Sequence, residues 1–185
     1  TVFGALCLRQ TAIEGLLRMT LHELLALFTS KNIEYTTAHL DAVDQNAQLT
    51  DVASDSREVT PGSLFVCKGA HFSPAYLASA VEAGAVAYLC QQSLAEDLQS
   101  VAPNVAAICV HDVRLAMAYA AAGVAGHPDK KLTTIGITGT KGKSTCSYML
   151  RAILDGDEPY SKCGVIGGIE VFDGKDTQPA HNTTP

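Results

Sequence analysis

A basic excess is missing from this chain: Lys and Arg together number 13 against 19 Asp and Glu, a formal charge of −6. Neutralising a phosphate backbone needs a basic surface, so the balance argues against a nucleic-acid binder. Long apolar runs are missing too. The longest weakly polar stretch, residues 115–126, is Ala-rich and far shorter than the roughly 20 residues a membrane span requires, so no membrane insertion is expected. Residues 1–18 hold an apolar patch but neither the basic start nor the small-residue cleavage site of a secretory signal; they read as an extension ahead of Met19, which reads as the natural start. The six cysteines (Cys7, Cys67, Cys90, Cys109, Cys146 and Cys163) include no C-x-x-C pair, and several sit in apolar runs. They read as buried, reduced thiols of a cytoplasmic protein, without a disulfide framework or a zinc site.

What is present is the composition of a globular protein, with 47% hydrophobic and 17% charged residues. At 185 residues it accommodates one ordinary domain, or a small domain plus part of another. Thr20 with Glu23 is a capping-box pattern, and Leu21, Leu24, Leu25 and Phe28 repeat at helical spacing behind it. Residues 49–68 read as strand, turn, strand, with Thr60-Pro61-Gly62-Ser63 as punctuation. Ser73-Pro74 starts a helix over 75–82 that ends at Gly84; 85–90 reads as a buried strand, 94–101 as a helix and 105–110 as a strand. Asp112 then caps a helix over 113–124. His127 to Lys131 reads as a polar linker, followed by a strand at 132–137, a helix at about 143–154 and a strand over 163–171. Strands alternating with helices predict an α/β fold with a mostly parallel sheet.

The segment from Leu132 to Thr145 runs apolar strand, glycine-rich turn, helix start. That order is what a phosphate loop requires. Glycines let backbone N–H groups turn onto phosphates, and the helix N-terminus adds a favourable dipole. Lys143 reaches the outer phosphates and Ser144 ligates Mg²⁺. The spacing departs from G-x-x-x-x-G-K-[ST], because Ile137 stands where the first glycine belongs.

Residues 138–145, Thr-Gly-Thr-Lys-Gly-Lys-Ser-Thr, resemble the T-G-T-x-G-K-[ST]-[ST] loop of the Mur ligase family, with Lys141 where Asn is more frequent. Folylpolyglutamate synthetases share a related loop. A second resemblance lies at 55–66, D-S-R-E-V-T-P-G-S-L-F-V, which looks like the N-terminal-domain signature of two Mur ligase types: the one adding the third amino acid (MurE type) and the one adding the dipeptide (MurF type). Folate enzymes lack that domain. At the end of the chain, Asn182-Thr183-Thr184-Pro185 resembles the segment that contacts the muramoyl substrate in the MurE type.

The resemblance implies a small N-terminal α/β UDP-substrate domain at 19–110, followed at 111–185 by the beginning of a P-loop central ATPase domain with a mostly parallel sheet. It implies an ATP- and Mg²⁺-dependent ligase of peptidoglycan-precursor synthesis. Such an enzyme joins UDP-N-acetylmuramoyl-L-alanyl-D-glutamate to a diamino acid through an acyl phosphate. Gly139, Thr140, Lys141, Gly142, Lys143, Ser144 and Thr145 would hold ATP, with Lys143 catalytic and Ser144 on the metal. Ser54, Ser56, Ala70, His71 and Phe72 would contact the uridine diphosphate end, and Asn182, Thr183 and Thr184 the muramoyl peptide end. The family's remaining metal ligands, carbamylated lysine and amino-acid-selecting domain have no counterpart here, so the chain reads as a fragment inactive by itself. The alternatives are a MurF-type ligase and a nucleotide-binding module without catalysis.

Overall fold

The computed structural model describes residues 19–69, 72–156 and 163–180. They fall into two compact units, one spanning Leu16–His127 and the other running from Pro128 onward.

The first unit is built on a five-stranded sheet with strands β1 (Tyr35–Ala38), β2 (Val52–Ala53), β3 (Leu64–Val66), β4 (Ala87–Gln91) and β5 (Ala106–Val110), in the order β1-β5-β4-β3-β2. β2 through β5 are mutually parallel, and β1 closes one edge antiparallel to β5. Leu64, Phe65 and Val66 pair with Ala87, Tyr88 and Leu89, and Ala87 to Gln91 pair in turn with Ala106 to Val110 of β5. β3 and β5 are buried along their whole length, the pattern of parallel strands covered on both faces.

Period-two alternation divides those strands between two cores. Leu64, Val66, Leu89, Ile108 and Val110 meet helix α1 (Leu21–Ser30) through Leu21, Leu24 and Phe28, and helix α4 (Val113–Val124) through Ala116 and Ala120. Phe65, Cys67, Tyr88, Cys90, Ala107 and Cys109 meet α2 (Pro74–Glu82) through Leu77 and Ala80, and α3 (Ala95–Val101) through Leu98. The small residues on α4 let it sit close to the sheet beside α1. Because α4 shares that core, the compact unit runs to His127.

Local chemistry starts α1 and α4 where the sequence reading put them. Thr20 and Glu23 form the reciprocal box: the Glu23 N–H donates to Thr20 Oγ1 at 3.2 Å and the Thr20 N–H to Glu23 Oε2 at 2.7 Å. Asp112 Oδ1 accepts from the N–H groups of Arg114 and Leu115, both at 3.0 Å. Gly62, at φ +90°, turns the chain into β3; a Cβ there would lie 2.8 Å from Thr50 Cγ2, and its own N–H donates to the Gly84 carbonyl at 2.9 Å.

Behind β2, Asp55-Ser56-Arg57 makes a self-supporting turn. Arg57 Nε donates to both Asp55 carboxylate oxygens at 2.9 and 3.1 Å, and the Arg57 N–H adds a bond to Oδ1 at 3.0 Å. The Arg57 side-chain bonds, aided by its backbone N–H, pull the Asp55 carboxyl from 3.8 to about 2.

In the second unit, helix α5 (Lys143–Asp155) lies where expected, but the strand expected at 132–137 does not form. An apolar parallel strand is stable only between neighbours. The sheet described in this unit is a separate antiparallel meander of β6 (Val165–Ile166), β7 (Glu170–Phe172) and β8 (Thr177–Pro179), and Ile135 stays 47% exposed. The single strand expected over 163–171 is also divided: Gly167-Gly168 turns the chain, with the Gly167 N–H donating to the Glu170 carbonyl at 3.0 Å. The mostly parallel sheet therefore belongs to the first unit. Arg151 stacks its guanidinium 3.5 Å from the centre of the Phe172 ring and pairs with Asp155 at 3.3 Å, tying the meander to α5.

Two outcomes follow from this packing. Leu89→Ala, at a fully buried position in the central strand, lowers unfolding free energy by about 2–5 kcal/mol in urea titrations, whereas Leu115→Ala on the exposed side of α4 stays within about 0.5 kcal/mol. Because the folded-state pKa of Asp55 is depressed, its small contribution is complete above the ordinary carboxylate range and disappears as pH falls through about 2. A carboxyl-carbon NMR titration of Asp55 gives a midpoint near 2; a midpoint near the ordinary 3.8 would mean that Arg57 does not hold it.

Candidate functional site

Four parallel strands place their carboxyl ends along one edge of the sheet, the edge at which open α/β sheets take ligands. The residues at this edge are 54–57 after β2, 67–69 after β3, Gln91 at the end of β4 and 111–114 between β5 and α4. Ser54 is exposed directly behind β2, and Ser56 is half-buried at the tip of the Asp55–Arg57 turn. Phe72 lines an open cleft of about 490 Å³ together with Cys67, Lys68, Gln91, His111 and Arg114. Ser54 and Ser56 are not part of its lining. Ala70, His71, Asn182, Thr183 and Thr184 lie outside the described residues.

The cleft carries two cations, Lys68 and Arg114, that have no carboxylate partner among the described residues. In a chain of net charge −6 this is a local reversal of sign. The one carboxylate in the lining, Asp112, is engaged in capping α4. Lys68, Gln91, His111 and Arg114 were not singled out from the sequence. The available signal was their position: each follows an apolar strand run at the end where parallel strands open.

In the second unit, Gly142 precedes α5 with φ +79°, a left-handed conformation that favours glycine. No side chain caps the helix and its first turn has no acidic residue, so the backbone donors and the positive end of the dipole are left for an anion. Lys143 Nζ reaches back across the turn and donates to the Gly139 carbonyl at 2.8 Å, which closes the loop and holds the ammonium over it. Ser144 is half-buried in the first helical turn, while Thr140, Lys141 and Thr145 are exposed. The loop thus brings Gly139, Gly142, Lys143 and Ser144 into one small turn whose donor set suits a phosphate. Among the described residues no group of three or more His, Cys, Asp and Glu could hold a metal ion.

No family model matches the chain. Individual curated proteins do. A UDP-N-acetylmuramoyl-L-alanyl-D-glutamate–2,6-diaminopimelate ligase of Caldanaerobacter subterraneus is 37% identical over 142 residues, which is 76% of this chain and 28% of that protein. A UDP-N-acetylmuramyl-tripeptide synthetase of Latilactobacillus sakei is 41% identical over 127 residues, 69% of this chain and 23% of that protein. The synthetase of the same name from Limosilactobacillus reuteri is 45% identical over 105 residues, 57% of this chain and 19% of that protein. The chain thus spans about a quarter of the length of the curated relatives it matches. With similarity of this strength to several MurE-type enzymes, joined to the glycine before α5 and the Asp55–Val66 segment, the chain is most like the MurE-type enzymes of the Mur ligase family.

Proposed function

We propose that this chain serves a cytoplasmic, ATP- and Mg²⁺-dependent ligase of peptidoglycan-precursor synthesis, which adds a diamino acid to UDP-N-acetylmuramoyl-L-alanyl-D-glutamate through an acyl phosphate. The observation that carries the reading is the uncapped start of α5 behind Gly142, with Lys143 held over the loop by its bond to the Gly139 carbonyl. ATP supplies the phosphoryl group that activates the glutamyl carboxylate, and Mg²⁺ offsets charge on the phosphates.

The residues of the chain would contribute positioning and electrostatics. Backbone N–H groups of Gly142 to Thr145 would donate to phosphate oxygens, Lys143 would exchange the Gly139 carbonyl for a phosphate, and Ser144 would turn its hydroxyl to the cation. Lys141, exposed beside them, would add positive charge. Ser54, Ser56, Ala70, His71 and Phe72 would take the uridine diphosphate end at the carboxyl edge of the sheet, and Asn182 to Thr184 the muramoyl peptide end. On this reading residues 19–110 form the UDP-substrate domain and 111–185 the beginning of the ATPase domain. These 185 residues then bind nucleotides but do not turn over by themselves, in keeping with the quarter of the relatives' length that they span. The relatives' names favour this reading over a MurF-type one.

Lys143→Ala in the full-length enzyme is expected to lower kcat for ATP-dependent ligation by about 10²–10³-fold, the scale for losing one preorganised charge-stabilising group. Coupled release of inorganic phosphate measures it, and unchanged turnover would remove Lys143 from the mechanism.

A further inference from the structure

Three cysteines stand in a row across the sheet. Cys90 on β4 and Cys109 on β5 are register partners, and Cys67, one residue beyond the Val66–Leu89 pair, continues the line onto the end of β3. All three face the core shared with α2 and α3, and each is at most 2% exposed. The Cys90 thiol donates to Cys109 Sγ at 3.5 Å. In-register residues on neighbouring strands have a Cα spacing of about 4.8 Å, inside the Cα range that a disulfide bridges. The row ends at Cys67 in the wall of the carboxyl-edge cleft.

We propose that Cys90 and Cys109 are a redox-active dithiol that a peroxide converts to a disulfide, fastening β4 to β5 beside Gln91 and His111 of the cleft. The Cys109 thiolate attacks one peroxide oxygen; an S–O bond forms, the O–O bond breaks and, after protonation, water leaves. Cys90 sulfur, giving up its proton, then attacks the sulfenic sulfur; the S–S bond forms, the S–O bond breaks and a second water leaves. Two thiols are oxidised and one peroxide is reduced. The electrostatics agree with this division of labour. The S–H bond from Cys90 lowers the Cys109 pKa, with help from Thr36 and Gln99, and that same bond together with burial raises that of Cys90. Burial pushes the Cys67 thiol up to about 12, which keeps it protonated and a bystander.

The inference is independent of the proposed ligase activity. Its test is disulfide mapping of the whole chain after hydrogen peroxide, with alkylation in denaturant and digestion without reductant. The expected result is a peptide pair joined through Cys90 and Cys109, a fall of two in titratable thiols attributable to that pair, and recovery of both on reduction. Cys109→Ser should abolish the joined pair and leave Cys90 open to alkylation. Recovery of Cys90 and Cys109 as free thiols, when the exposed Cys146 has been oxidised, would overturn the proposal. So would a link through Cys67 instead, or pairing that is equally scrambled in the native and urea-unfolded chain.

Discussion

Everything in the first unit depends on covering both faces of the parallel strands β3, β4 and β5. Their backbone groups are satisfied by the neighbouring strands, but their side chains alternate between two cores, and neither core is dry without its own pair of helices. α1 and α4 seal the Leu64, Leu89 and Ile108 side, α2 and α3 the Phe65, Tyr88 and Cys109 side. Since each crossover returns to start a new parallel strand, all the carboxyl ends emerge together. The cleft, the Asp55–Arg57 turn and the start of α4 share that edge as a consequence of sheet topology.

The same demand explains why the two units differ in how fully their apolar residues are hidden. β4 and β5 have partners on both sides and helices above and below. In the second unit the segment 132–139 has no strand beside it among the described residues, and α5 leaves Met149 63% and Ile153 75% exposed. Order at the glycine-rich turn and α5 comes from local devices instead: the left-handed Gly142 and the Lys143 bond to the Gly139 carbonyl at the turn, and the Arg151 link from α5 to Phe172.

Polar satisfaction also separates the roles of neighbouring residues. Asp55 and Arg57 pair their charges with each other across the turn that Ser56 tips. Asp112 is occupied by two backbone donors of α4, so that Arg114, two residues on, keeps its charge unpaired at the cleft. One face of the sheet carries three thiols beside its aliphatic side chains, and Tyr88 keeps its hydroxyl buried there without a hydrogen-bond partner among the described residues.

Much of this was legible in the chain itself, because it is encoded within a few residues. The Thr20–Glu23 box, Ser73-Pro74 and Asp112 announce helix starts by their own hydrogen-bonding chemistry, and 64–66, 87–91 and 106–110 are apolar runs flanked by turn residues. The glycine-rich turn before Lys143 is local in the same sense. Long-range pairing was not legible. Residues 132–137 have the composition of a buried strand, yet a strand exists only where a partner presents its edge; Gly167-Gly168 turned one expected strand into a hairpin for the complementary reason, that a partner lay next to it in the sequence. The sequence by itself determined the helix starts, the loop and the alternation of elements. Tertiary structure alone decided that Lys68, Gln91, His111 and Arg114 meet around one cleft and that Cys90 faces Cys109, because those neighbours are set by sheet register between segments some twenty or more residues apart.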